Sequence, residues 1–219
     1  MPELASTLAA TRKDYGKHTL QREDLTENPF DLFHQWMNEA LDRDPAHANA
    51  MVLSTLGEDN FPDSRVVLLK DLNSEGFSFY TNYKSKKSAD IDSHPVASLL
   101  FFWPELERQV RITGSIEKLS ASAADEYFAE RPFESKVGAH ASIQSAVIES
   151  REKLDAAFAK ALAEFSATKE VPRPAHWGGY MVVPQRMEFW QGRSSRLHDR
   201  FRYRKDAITQ QWTIERLMP

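Results

Sequence analysis

No cysteine occurs in the 219 residues, which removes disulfides, thiolate metal sites and cysteine nucleophiles together and fits a reducing cytoplasm. A dominant charge sign is also missing. Lys and Arg number 28 against 32 Asp and Glu, a net charge of −4, so nothing draws the whole chain to nucleic acid or to an anionic membrane. Long apolar runs are lacking too: the longest stretch, Val96 to Trp103, is interrupted at Ser98 and far too short to span a bilayer. The opening MPELASTLAATRKDY has no apolar centre of the kind a secretory signal needs. There is no G-x-G-x-x-G, no Walker loop, no G-x-S-x-G and no H-E-x-x-H. The seven histidines are scattered, with no pair at helical ligand spacing, so no metal site is expected.

What remains is the composition of a soluble folded chain: 41% hydrophobic, 11% aromatic and 27% charged residues. Residues 1–27 are polar and read as a mobile arm ahead of a single domain over 28–219. Asn28 and Pro29 open a helix, with an amide at the N-cap, proline at the first position and Asp31 in the first turn. Phe30, Phe33, Met37, Ala40 and Leu41 form its apolar stripe, and Pro45 stops it. From Ala50 to Lys118 the rhythm changes to short apolar runs, Met51–Leu53, Val66–Leu69, Phe77–Thr81, Val96–Trp103 and Val110–Ile116, separated by turn residues. Five strands in so short a span imply an antiparallel barrel or sandwich. Helices follow over Leu119–Arg131, Ser135–Gln144 and Ser150–Phe165. Four closing strands are expected over Tyr180–Val183, Met187–Gln191, Leu197–Tyr203 and Gln211–Arg216. The pattern predicts an α+β fold dominated by β, a barrel with a helical insertion and an N-terminal helix.

Charge is concentrated near the C-terminus, where Arg193, Arg196, Arg200, Arg202, Arg204 and Lys205 face only Asp199. In a strand, Arg196, His198 and Arg200 share one side. Two readings fit: a solvated edge strand whose charges discourage aggregation, or a pocket for an aromatic anion lined by the neighbouring Phe189, Trp190, Phe201 and Tyr203. Arg65 and Lys70 bracket a buried apolar strand, about 16 Å apart at ~3.3 Å per residue, too far for one phosphate to bridge. Tyr127 and Arg131 are neighbours on a helix face broken by Pro132, and Ser135 is placed to cap the next helix. Together they make a phosphate cradle or an ordinary surface pair. Lys84, Lys86 and Lys87 read first as a solvated turn.

The ordered set Arg65-VVLL-Lys70, Phe79-Tyr80-Thr81-Asn82, Ser85-Lys86-Lys87, Glu107-Arg108-Gln109-Val110, Tyr127-Phe128, Arg131-Pro132, Ser135, Gln144-Ser145, Trp177-Gly178-Gly179, Glu188-Phe189-Trp190-Gln191-Gly192 and Arg196-Leu197-His198-Asp199-Arg200 resembles the pyridoxine (pyridoxamine) 5′-phosphate oxidase family. The resemblance runs from Arg12 to the final Arg216-Leu217-Met218-Pro219. It implies an FMN-binding split β-barrel, a cytoplasmic homodimer with FMN at the subunit interface, and oxidation of a B6 vitamer phosphate by dioxygen with release of hydrogen peroxide. The resemblance assigns FMN contacts to Arg65, Val66, Val67, Leu68, Leu69, Lys70, Tyr80, Thr81, Lys86, Lys87, Gln109, Gln144, Ser145, Trp190 and Arg200. It assigns the substrate phosphate to Lys70, Tyr127, Arg131 and Ser135. The reacting end of the substrate falls to Arg196, Leu197 and His198, with Arg12 and Tyr15 on a covering arm and Arg196 and His198 as the catalytic pair. The family usually has Ser-Arg-Lys where this chain has Ser85-Lys86-Lys87, which keeps the charge and loses the bidentate fork. The competing readings are a phenazine-pathway oxidase of the same barrel, a flavin- or pyridoxal-phosphate-binding module without turnover, and nucleic-acid binding through the 193–205 cluster.

Overall fold

The Asn28 side chain accepts the Phe30 amide at 3.1 Å, and Pro29 is the first residue of a helix that runs to Arg43. This is the N-cap arrangement that the two residues predict. The computed structural model describes residues 2–11 and 13–219. A short helix, α1 (Pro2–Ala10), precedes α2 (Pro29–Arg43). The buried face of α2 is wider than the predicted stripe. Leu32 and Trp36 are buried with Phe30, Phe33, Met37 and Ala40, while Leu41 is exposed. Leu32, Trp36 and Ala40 form a second row at four-residue spacing beside the first.

The chain continues through β1 (Ala50–Leu56), β2 (Pro62–Leu68), β3 (Asp71–Leu72), β4 (Phe77–Asn82), α3 (Lys86–Ser93), β5 (Val96–Trp103) and β6 (Arg108–Lys118). It then runs through α4 (Ala121–Glu130), α5 (Phe133–Ala141), α6 (Arg151–Ser166), β7 (Trp177–Gln191), β8 (Asp199–Lys205) and β9 (Trp212–Arg216). The expected α+β architecture is present: an antiparallel β framework with a helical insertion between β6 and β7. By internal contacts the chain divides into two units, residues 1–49, 100–112 and 185–219 in one, and 50–99 and 113–184 in the other.

The strand order of the sheet is β2-β1-β5-β6-β7-β4-β3. Strand β1 pairs antiparallel with β2 (Leu53 opposite Arg65), and β4 pairs antiparallel with β7 (Tyr80 opposite Gly179). Met51, Leu53, Phe77, Phe79, Leu99, Ile116, Tyr180 and Val182 form the core of this unit. The expectation that Arg65–Lys70 is a buried strand is corrected. Strand β2 ends the order, with Val66 66% and Leu68 43% exposed, and Lys70 lies beyond it. An apolar run buries itself only where both faces find cover. Ser120 and Ser150 cap α4 and α6 through their side chains. Helix α5 starts at Phe133, so Ser135 is its third residue and not its cap.

In the first unit β7 pairs with β8 (Phe189 opposite Phe201) and β8 with β9. Phe33 meets Phe101 edge to face, and Phe189 meets both Trp36 and Tyr203 edge to face, with Trp36 and Phe189 centred 5.2 Å apart. The closing strands number three, because Tyr180–Val183 and Met187–Gln191 are one continuous strand through Pro184. Residues 13–27 attach to this unit by backbone groups. The Gly16 and Lys17 amides donate to the buried Glu107 carboxylate at 2.8 and 3.0 Å, and the Tyr203 hydroxyl donates to the Thr26 carbonyl at 2.8 Å. The buried Asp199 carboxylate receives the Leu20 amide at 3.1 Å, Arg193 at 2.9 Å and Arg216 at 2.5 Å.

Candidate active site

In the second unit, β2, β4, α3, the α4–α5 corner and the Ser142–Ser145 loop surround a cavity of about 820 Å³. Arg65, Val66, Val67, Leu68, Lys70, Tyr80, Thr81, Lys86, Lys87, Tyr127, Arg131, Ser135, Gln144 and Ser145 all line it. Fourteen residues from six segments of the sequence therefore converge on one space. Leu69 points away and is buried, and Gln109, on β6, lines no cavity described here.

One end of this cavity is cationic. Lys87 is not part of a solvated turn. It lies in the first turn of α3 and is only 7% exposed, with its ammonium donating to Gln144 Oε1 at 2.8 Å and to Thr81 and Ser85 hydroxyls at 3.2 Å. Burial, then the nearby Arg65 guanidinium, lowers its pKa to about 8, against the pull of Asp63 and Asp90. The other two cations share a buried carboxylate. Lys86 donates to Asp90 Oδ1 at 2.5 Å, and Arg65 donates at 2.7 Å to the Thr55 hydroxyl, which in turn donates to Asp90 Oδ2 at 2.7 Å. Burial opposes ionisation of Asp90, but hydrogen bonds from Lys86 and Thr55 hold its pKa below the usual range. The sequence reasoning missed Asp90, although its four-residue spacing from Lys86 on a helix was a readable signal.

The other end is aromatic. Tyr80 and Tyr127 stack face to face, centred 4.0 Å apart at 6°, and Trp177 lies parallel to both. Gly179 makes this seat possible, since a Cβ there would come within 2.8 Å of the Tyr80 ring. Arg131 sits at the C-terminal cap of α4, and burial lowers its pKa. Its Nη1 is buried with no hydrogen-bond partner.

A second cavity, about 570 Å³, lies in the first unit and is lined by Tyr15, Lys13, Asp14, Arg193, Ser195, Arg196 and His198 among others. The predicted alternation of Arg196, His198 and Arg200 along a strand is corrected. Arg196 closes a single 3-10 turn, Leu197 and His198 precede β8, and only Arg200 is in the strand. Ser195 and Arg196 both take left-handed backbone (φ 56° and 61°), a conformation that costs non-glycine residues energy and concentrates at functional sites. The Arg193 amide donates to His198 Nδ1 at 3.1 Å, which leaves the ring proton on Nε2. Burial, then Arg196 and Arg200, lowers the His198 pKa, so the neutral ring is favoured at pH 7. Trp190 packs 4.6 Å from the His198 ring, with Tyr15 5.7 Å from Trp190. Gly192 admits Tyr15, because a Cβ there would meet its side chain at 2.8 Å. Leu197 is exposed, Arg200 is held by Glu188 at 2.9 Å, and Arg12 lies outside the described residues.

Comparison with known proteins bears on both cavities. Residues 37–165 match the family described as pyridoxamine 5′-phosphate oxidase, and residues 177–219 match the pyridoxine 5′-phosphate oxidase C-terminal dimerisation region. A pyridoxine/pyridoxamine 5′-phosphate oxidase of Burkholderia multivorans is 51% identical, covering 98% of this chain and 100% of the relative. One from Salinibacter ruber is 47% identical over the same shares. Among solved structures, PhzG from Burkholderia lata 383, in complex with tetrahydrophenazine-1-carboxylic acid, superposes with a TM-score of 0.83 at 30% identity, covering 92% of this chain and 98% of that one. A pyridoxamine 5′-phosphate oxidase-related, FMN-binding protein of Nostoc punctiforme shares the fold at a TM-score of 0.68 and 16% identity, over 85% and 97% of the two chains. With half its residues shared along nearly its whole length, and its motifs gathered around two cavities, this chain belongs to the pyridoxine/pyridoxamine 5′-phosphate oxidase family.

Proposed function

We propose that the protein oxidises pyridoxine 5′-phosphate or pyridoxamine 5′-phosphate to pyridoxal 5′-phosphate, using FMN and dioxygen and releasing hydrogen peroxide. The observation that carries this reading is the half-buried Arg131 guanidinium, which lines the first cavity with Tyr127 and Ser135 and has no ion-pair partner among the described residues. Such a group is a receptor for a phosphate ester. The cavity also fits FMN. The buried Lys87 ammonium has only neutral partners, and the exposed Val66 and Leu68 of β2 offer an apolar face beside it. FMN, when bound, supplies two-electron redox chemistry between the substrate carbon and dioxygen.

The protein's own residues have separable tasks. Arg65, Lys86 and Lys87 hold the cofactor phosphate. Lys70, Tyr127, Arg131 and Ser135 hold the substrate phosphate, bound equally in ground and transition states. His198 donates from Nε2 to a substrate oxygen, and Arg196 presses the substrate ring into a near-attack arrangement. Trp190, Arg200 and Gln109 complete the cofactor contacts. The two residue sets are proposed to come from different subunits of a homodimer, a reading supported by the match to a dimerisation region.

The likeness to PhzG favours one rival, oxidation of a tricyclic acid. A substrate without phosphate leaves the buried Nη1 of Arg131 without a partner, which is costly. The test is an absorption spectrum followed by oxygen uptake. A flavin spectrum with one FMN per chain, and uptake on adding pyridoxamine 5′-phosphate, are expected. A protein that stays colourless in excess FMN, or that consumes oxygen only with tetrahydrophenazine-1-carboxylic acid, sinks the proposal.

A further inference from the structure

Arg131 is held in an unusual way for a half-buried guanidinium whose Nη1 is shut off from solvent. No carboxylate lies within ion-pairing distance of it among the described residues. It rests instead on two rings, with its carbon 4.7 Å from the centre of Trp177 and 5.5 Å from that of Phe128. Both rings are buried, Trp177 to 7% and Phe128 to 2% exposure, and they meet edge to face at 5.0 Å. The Trp177 backbone is fixed on both sides: its amide donates to the Pro174 carbonyl at 2.9 Å, and its carbonyl accepts from Arg173 at 2.7 Å. The main chain is thus anchored, and the indole is packed against Tyr80, Tyr127 and Phe128.

A carboxylate in that place would compete with an incoming anion for the same N–H groups. An aromatic face does not compete, because it attracts the cation through its quadrupole and leaves the in-plane donors free. We propose that Trp177 is a positioning and specificity residue. Its indole face carries the Arg131 guanidinium in place of a counter-ion, keeping the full charge and the in-plane donors available to a dianionic phosphate ester. Tyr127 is braced in the same way by Tyr80, whose hydroxyl is anchored on the Ala123 carbonyl at 3.4 Å. This inference rests on the reading of the cavity as a phosphate-ester site.

The test is a double-mutant cycle on the FMN-loaded enzyme, with steady-state KM and kcat for pyridoxamine 5′-phosphate and for unphosphorylated pyridoxamine. Trp177→Leu should raise KM for the phosphate ester about three- to thirtyfold, with kcat near the parent value and little change for pyridoxamine. Trp177→Phe, which keeps a ring, should fall between. Arg131→Lys, which keeps the charge and loses the flat group, should resemble Trp177→Leu and covers the case in which the leucine variant does not fold. In an Arg131→Met background, Trp177→Leu should add nothing. Full additivity, or an equal loss with both substrates, overturns the role of Trp177 while leaving the phosphate site standing. An Arg131→Met variant with unchanged KM overturns the phosphate reading and the inference together.

Discussion

Lys87 Nζ donates to Gln144 Oε1 across 2.8 Å, tying α3 to the loop after α5 with no carboxylate at either end. The ammonium's hydrogen-bond partners are all neutral, and its pKa falls to about 8, chiefly through burial and then through Arg65, against the more distant Asp63 and Asp90. An anionic ligand favours the protonated form. FMN affinity should therefore fall as pH rises through about 8, by up to about tenfold per unit until the higher pKa of the complex is reached. Without ligand the sign reverses. The folded chain holds fewer protons on Lys87 than the unfolded chain between about 8 and the ordinary 10.5, so this group adds stability as pH rises across that window. Flavin fluorescence titrations between pH 7 and 10 read the first effect. Lys87→Met should bind weakly and show a flat profile, and a slope that survives the substitution would assign the titration elsewhere.

Arg196 should behave unlike Arg131. It lines the second cavity on a strained left-handed turn, close to the neutral His198 ring. Arg196→Met should lower kcat by about 2–4 kcal/mol of barrier, roughly thirty- to a thousandfold, with KM changed far less. Single-turnover flavin reduction under anaerobic conditions isolates that step. A variant that reduces its flavin at the parent rate would remove Arg196 from the chemistry.

Glu107 makes a prediction about the N-terminal segment. Burial pushes its carboxyl pKa up, but the Lys17 and Gly16 amides and the Lys13 ammonium outweigh that and hold it below the ordinary range. The stabilisation is therefore present above about pH 4.5 and lost as pH falls through the lowered value. Glu107→Gln should cost about 1.5–3 kcal/mol, the worth of charge-assisted hydrogen bonds. Urea unfolding at pH 7 measures the loss, and the gap between parent and variant should close toward pH 3.

Short-range chemistry was the legible part of this fold. The Asn28–Pro29 start and most of the apolar strand runs depend on neighbours a few residues away, and they are found where those neighbours place them. The failures share a different cause. Nothing local distinguishes a lysine that a helix buries from one it leaves in water, so Lys87 looked like turn material. The left-handed pair Ser195–Arg196 carries neither glycine nor asparagine, the residues that announce such backbone, and the alternation rule was applied across a turn. Asp90 acts behind residues that the motifs do mark, and Trp177 stands in a motif that gives it no role, because a motif names the group that faces the ligand sooner than the one that supports it.

The Asp199 carboxylate joins Leu20, Arg193 and Arg216, and its bond to Leu20 spans 179 residues of sequence. During synthesis that bond has no acceptor until residue 199 has been made, and the Arg216 contact comes later still. Leu20 is thus joined to a partner made 179 residues later, and this contact can form only after that stretch has been translated. A ribosome stalled before residue 199 holds a chain whose Leu20 amide still lacks this acceptor. The completed C-terminal strands are what close that interval.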